Sequence, residues 1–154
     1  MALADCQILG NPEMLSTIRL DIREANPIYV FAFKIQPQFF SELFAEYVDR
    51  YPVYIVANHS EARALRLLSR EFPNLHAYSW SENRLFHSKV YIFPKAGVAY
   101  VGSHNITRYA FTSGINHSVR IHNRHLVDQL SAVFVKAQKT ARELTGDLPH
   151  NLIA

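Results

Sequence analysis

Two short runs limit what this chain can fold into. Ile28 to Ile35 reads IYVFAFKI, and Val53 to Ala57 reads VYIVA. Both are dominated by apolar residues, rich in β-branched and aromatic types, and short. Such runs are strands covered on both faces, an arrangement that a sheet reaches between layers of helix. The segment joining them has helical spacing. Between Phe39 and Arg50, the side chains of Phe40, Leu43, Phe44, Tyr47 and Val48 share one face.

The neighbouring chain extends the pattern. Asn11-Pro12-Glu13 reads as a helix start, with Asn as cap, Pro at the first helical position and an acid in the first turn. That helix runs to about Ala25, and Asn26-Pro27 ends it. Ser60-Glu61 caps a helix through Phe72, with Leu65, Leu68 and Phe72 inward. Leu75 to Tyr78 is a short third strand. The order then changes. His87–Phe93, Val98–Gly102 and Ser118–His122 are strand-like and have no long helix between them. Arg124 to Leu144 closes the pattern as an amphipathic helix. Its apolar face holds Leu126, Val127, Leu130, Val133, Phe134, Ala137 and Ala141, and Gly146 is its stop. The predicted class is α/β, an α/β/α sandwich whose mixed β-sheet has helices on both faces. With 154 residues and no repeat or linker, residues 1–154 form one predicted domain.

Charge is distributed unevenly. The chain carries a net charge of +3, with 13 acidic residues. None lies between Asn83 and Val127, where an even spread would put about four. That window holds Arg84, Lys89, Lys95, Arg108, Arg120 and Arg124, with five histidines. A surface of this kind suits a phosphate ligand. Cys6 is the single cysteine, so no intrachain disulfide forms. The N-terminus lacks a basic region before an apolar stretch, and no apolar run approaches the ~20 residues of a membrane span. The expectation is a soluble cytoplasmic protein without membrane contact.

Within the window, His87-Ser88-Lys89 opens one strand and Gly102-Ser103-His104-Asn105 closes the next. Strand side chains alternate, so His87 and Lys89 project together. If extended geometry continues past Gly102, Ser103 and Asn105 share a side as well. An imidazole, an ammonium, a hydroxyl and an amide would then line one small volume. The set suits phosphoryl transfer without metal: imidazole attacks phosphorus or moves a proton, lysine offsets oxyanion charge, and Ser and Asn hold oxygens. Metal-dependent nucleases need carboxylates, and this window has none.

At these residues the chain resembles the phospholipase D superfamily. That signature is His-x-Lys, usually four residues and an Asp, and then Gly-Ser-x-Asn. The Asp position falls here on Pro94 or Lys95. The strand after Gly-Ser-x-Asn begins Asn116-His117-Ser118, where many nuclease-like members carry a Glu. The resemblance implies a phospholipase D-like fold and a catalytic set of His87, Lys89, Ser103 and Asn105. It implies no cofactor and no metal. Family enzymes bring two histidines to one site. A short chain with one His-x-Lys motif therefore implies a homodimer whose two-fold axis crosses the site.

Size, the acid-free window and the lack of an apolar lid favour nucleic acid as substrate, DNA before RNA. Arg108, Arg120, Arg124 and Thr107 are candidate substrate contacts. Two rival readings stand beside this one. One is a lipid or small-molecule phosphodiesterase. The other is a catalytically silent module that binds nucleic acid or protein. His104, between two site candidates, reads as structural, and Trp80 as packing. His122 and His125 lack further metal ligands nearby. Lys34 reaches either the site or solvent.

Overall fold

The computed structural model describes residues 5–80 and 86–144. The expected strands form, and they form one sheet. In chain order the elements are β1 (Cys6–Gly10), α1 (Glu13–Glu24), β2 (Ile28–Ala32), α2 (Pro37–Val48), β3 (Val53–Asn58), α3 (Ala62–Glu71), β4 (Leu75–Trp80), β5 (Val90–Phe93), β6 (Val98–Gly102), α4 (Arg108–Thr112), β7 (His117–His122), α5 (Arg124–Thr140) and β8 (Arg142–Leu144). The strand order is β1-β7-β6-β5-β2-β3-β4-β8. β2, β3 and β4 are parallel to one another, and every other neighbouring pair is antiparallel.

The apolar runs of β2 and β3 alternate between two cores. Ile28, Val30, Ala32, Val53, Ile55 and Ala57 face the layer of α1 to α4, together with Met14, Phe40, Phe44, Leu65 and Phe111. Phe31 and Val56 face the other side, with Val90, Ile92, Ala99, Val127 and Phe134. That second layer is α5. Phe134 anchors it, with its ring stacked on Tyr29 at 4.7 Å and tilted against Phe31 at 5.0 Å. The result is the mixed sheet between helical layers that the sequence predicts.

Several details differ from expectation, each for a local reason. Asn11 does not cap α1; Pro12 occupies the cap position without a side-chain cap bond. The Asn11 amide is instead engaged with α4 and the loop after it. β2 stops at Ala32, three residues early, where the chain leaves the ladder. Ser60 does not cap α3, because His59–Glu61 first makes a turn of 3-10 helix. α5 ends at Thr140, and Arg142–Leu144 then adds an antiparallel strand to β4. Val133, assigned to the apolar face of α5, is 57% exposed. Gly146 lies outside the described residues. Among the described residues, no helix is long and apolar enough to cross a membrane.

β2 has a parallel neighbour in β3 and an antiparallel neighbour in β5. The carboxyl end of β2 therefore lies beside the start of β5. Here the pairing changes direction and the connections diverge, which is where open α/β sheets characteristically bind ligands. His87 enters the sheet at that place.

Because α5 covers its face almost alone, its anchor should be expensive to remove. Phe134→Ala is expected to lower unfolding free energy by about 3–5 kcal/mol, read as a shift in the urea midpoint.

Candidate active site

β5 begins at Val90, so His87, Ser88 and Lys89 lie on the extended approach to it rather than in its ladder. Lys89 is 9% exposed and His87 is exposed. The Lys89 Nζ donates to the His87 carbonyl at 2.9 Å and lies 2.8 Å from His87 Nδ1. An ammonium has protons to give and no lone pair. At that distance Nδ1 accepts, so this nitrogen is unprotonated. Burial lowers the Lys89 pKa from its ordinary value of 10.5, because the low-dielectric surroundings disfavour the charge.

A ring from β2 forms the floor. Phe33, just past the strand end, packs against the His87 imidazole at 4.4 Å with a 41° tilt. The Lys89 Nζ lies 5.2 Å from the same ring centroid, and the Lys34 Nζ lies 5.1 Å from it. Cations over an aromatic face are attracted by its quadrupole. Lys34 also sits 3.9 Å from Glu61 Oε1, and that oxygen accepts the Ile35 N–H at 3.3 Å. The sequence left Lys34 open between site and solvent. Its side chain is half exposed, and its ammonium stands over Phe33, the ring that also packs against His87. Phe33 and Glu61 carry no motif; they reach the site from β2 and from the turn before α3.

The second motif divides. Gly102 N–H bonds the Lys89 carbonyl at 3.3 Å, which joins the two motifs through β5 and β6. Past Gly102 the chain leaves β6, crosses the mouth of β5 and meets the segment after β2 at the isolated Ile35–Ile106 bridge. Asn105 goes with it, and its Oδ1 accepts the Lys34 N–H at 3.1 Å. Ser103 has a different partner. Its hydroxyl donates to the His117 carbonyl at 3.2 Å and accepts the His117 N–H at 3.0 Å. The two side chains are thus held by different partners: Asn105 by the Lys34 N–H, and Ser103 by the His117 backbone of β7. A Cβ on Gly102 would come within 2.5 Å of the Ser118 Cα and closer still to the His117 carbonyl, so β7 can approach only a glycine here.

His104 holds the crossing. It is fully buried, with Nδ1 2.7 Å from Ser118 Oγ and Nε2 2.7 Å from Asn11 Oδ1. Asn11 Nδ2 donates to the carbonyls of Ala110 and Gly114 at 2.9 and 2.7 Å, so its oxygen must accept. His104 Nε2 therefore carries the proton, and Nδ1 accepts from Ser118. The His104 carbonyl takes the Tyr91 hydroxyl at 2.9 Å. Burial, and secondarily the charge of His117, lowers the His104 pKa to about 4.

The expected substrate contacts are placed elsewhere. Thr107 caps α4, accepting the Ala110 N–H at 3.1 Å. Arg120 turns to the α1 side and grips Asp21 at 2.8 and 3.0 Å, where Tyr100 also bonds Asp21. Arg124 donates to the Pro94 and Lys95 carbonyls at 2.6 and 3.0 Å, at the end of the sheet remote from His87. Arg108 is exposed and paired with Glu42. The structure thus ties up Arg120, Arg124 and Thr107 in the fold. The position of the expected motif Asp, Pro94 or Lys95, lies in that same remote turn. Among the described residues, no three metal-ligating side chains form a cluster.

Residues 48–137 match the family described as cardiolipin synthase, PLD-like domain. The chain belongs to the phospholipase D superfamily. Its fold is similar to that of Nuc from Salmonella typhimurium, a phospholipase D family member, with a TM-score of 0.75 and 19% identity over 91% of this chain and 97% of that one. It is similar also to NucT from Helicobacter pylori, with a TM-score of 0.74 and 12% identity over 89% and 97%. TrmBL2, an archaeal chromatin protein with a novel mode of DNA binding, matches at a TM-score of 0.64 and 12% identity, over 93% of this chain and 54% of that one. At these identities the likeness speaks for the fold. No curated protein sequence matches the chain.

The His104 pKa lies below its ordinary 6.5, so the unfolded chain takes up this proton first. Its contribution to stability is complete above about pH 6.5, declines as pH falls toward 4, and changes no further below that. Gln can replace both hydrogen bonds without titrating. Urea midpoints taken near pH 7 and near pH 4.5 should therefore fall further for the wild type than for His104→Gln.

Proposed function

We propose that this protein is a metal-independent phosphodiesterase acting on nucleic acid, with His87 as nucleophile. The observation that carries the reading is the 2.8 Å contact between Lys89 Nζ and His87 Nδ1. It holds an imidazole nitrogen unprotonated beside a buried cation. A phosphodiester entering the site draws the ammonium to its nonbridging oxygens and frees that lone pair for phosphorus. The N–P bond forms as the bond to the departing oxygen breaks, giving a phosphohistidine. A second imidazole gives its proton to that oxygen, takes one from water, and the hydroxide formed displaces His87. Asn105, fixed through its Oδ1 to the Lys34 N–H, supplies amide protons to a nonbridging oxygen. Ser103 serves the site by fastening the crossing to β7, and joins the substrate if its hydroxyl turns from His117.

The second imidazole is His87 of another copy, because the described site carries one His-x-Lys motif. A row of apolar side chains on the sheet face beside the site supports this. Ile8, Val119 and Val101 are in register across β1, β7 and β6, with Ile8 77% and Val101 36% exposed. Val101 is the residue before Gly102. Covering such a row with a second copy removes apolar surface from water while bringing the two sites together. The basic, acid-free segment and the ammonium pair over Phe33 favour a polyanionic substrate. The DNA-binding mode named for TrmBL2 agrees with DNA as that polyanion.

Supercoiled plasmid in excess EDTA should be nicked by the wild type. The His87→Ala variant should lose at least ~10³-fold in rate, with its circular dichroism unchanged. Rapid acid-free quenching should trap phosphate on His87. Cleavage retained by His87→Ala would overturn the mechanism, and DNA bound without cleavage by either protein would leave a binding module. Val101→Asp should give a monomer on gel filtration, together with loss of nicking. A fully active monomer would remove the shared site.

A further inference from the structure

We propose that Lys34 forms a subsite for the phosphate next to the scissile one, so that the site selects a polynucleotide over an isolated phosphodiester. The inference rests on the nucleic-acid reading above and adds a contact that the His-x-Lys and Gly-Ser-x-Asn motifs do not supply. Lys34 and Lys89 each lie about 5 Å from the centroid of Phe33, so their ammoniums are no more than about 10 Å apart. Lys89 is buried against His87, as a group holding the reacting phosphate would be. Lys34 is half exposed at the rim, and its backbone N–H is fastened to Asn105. The buried cation marks the place of reaction, and the exposed one stands within reach of the next phosphate along a strand.

The state of Lys34 fits a replaceable ligand. Its ion pair with Glu61 is long at 3.9 Å, and the Glu61 oxygen concerned already accepts the Ile35 N–H. A phosphate can take the ammonium without leaving that backbone donor unpaired. Glu61 then acts against the substrate as a nearby negative charge. The two residues should thus have opposite effects: removing Lys34 weakens polyanion binding, and neutralising Glu61 strengthens it.

Two ligands separate the subsite from the reacting centre: a fluorescein-labelled dinucleoside monophosphate, with one phosphodiester, and the corresponding trinucleotide, with two. Binding is read by anisotropy across a salt series in the His87→Ala background, and cleavage in the His87-intact protein, both in EDTA. Lys34→Ala should weaken the trinucleotide about tenfold more than the dinucleotide. It should also make the slope of log affinity against log salt shallower by about 0.7. Glu61→Gln should tighten the trinucleotide and retain the Ile35 contact. An unchanged slope and affinity in Lys34→Ala would overturn the subsite, as would equal weakening of both ligands, which would put Lys34 on the reacting phosphate. A lost slope with neither ligand cleaved would keep the subsite and remove the phosphodiesterase reading. Cleavage with an unchanged slope would do the reverse, and failure to bind either ligand would remove both.

Discussion

The crossing from β6 to β2 is the constraint on which this structure turns. Residues 103–106 leave β6, pass the mouth of β5, and bridge to the segment that follows β2, two places away in the sheet. A backbone on such a path loses the regular ladder, and its polar groups must find partners one at a time. The partners come from four directions: for Ser103 from β7, for Asn105 from Lys34 past the end of β2, for the His104 ring from Ser118 and Asn11, and for the His104 carbonyl from Tyr91. Asn11 then reaches α4 and the following loop. A single buried imidazole thus connects the start of the chain to the edge of the site.

The electrostatics follow from what this crossing brings together. Among the described residues, Lys89 is buried with no carboxylate paired to it; its near neighbours are a carbonyl, an imidazole nitrogen and an aromatic face. A cation in that setting is poorly compensated and so available to an anion. Asp21 and Glu42 are held by Arg120 and Arg108, away from the His87 imidazole. Among the described residues, Glu61 is the acid that pairs with Lys34, and it is held by that ammonium and by a backbone donor. The absence of acids from 83–127 in the sequence thus has a spatial counterpart at the strand ends.

How much of this could be read from the sequence varied with how local each cause is. β2 and β3 announced themselves because burial on both faces leaves an unbroken apolar run. β1, β8 and α4 did not. CQILG sits at a sheet edge with two exposed members, REL is three residues long, and α4 is a single short turn set by Thr107. Their existence depends on tertiary partners rather than on period or propensity. At the site, two-residue spacing placed the Lys89 ammonium on the His87 imidazole. Spacing could not reveal Phe33 or Glu61, which arrive from other elements. Nor could a positive charge say where it points. Arg120 and Arg124 read alike in sequence, yet one closes on an acid of α1 and the other on carbonyls of a remote turn. That turn also explains why Pro94 or Lys95 can stand where an Asp is usual: the position is remote from His87, and its carbonyls receive the Arg124 guanidinium.

The two helical layers are unequal. Four helices cover one face of the sheet, while α5 with two fully buried anchors covers the other. Local opening follows the path of least buried contact. The thin layer can lift from β5, β2 and β3 while the thick layer and the His104 network keep the strand ends in register. Amide exchange in α5 should accordingly run ahead of exchange in β2 and β3. The strand ends that carry His87 then keep their register in a molecule whose thinner layer is free to breathe.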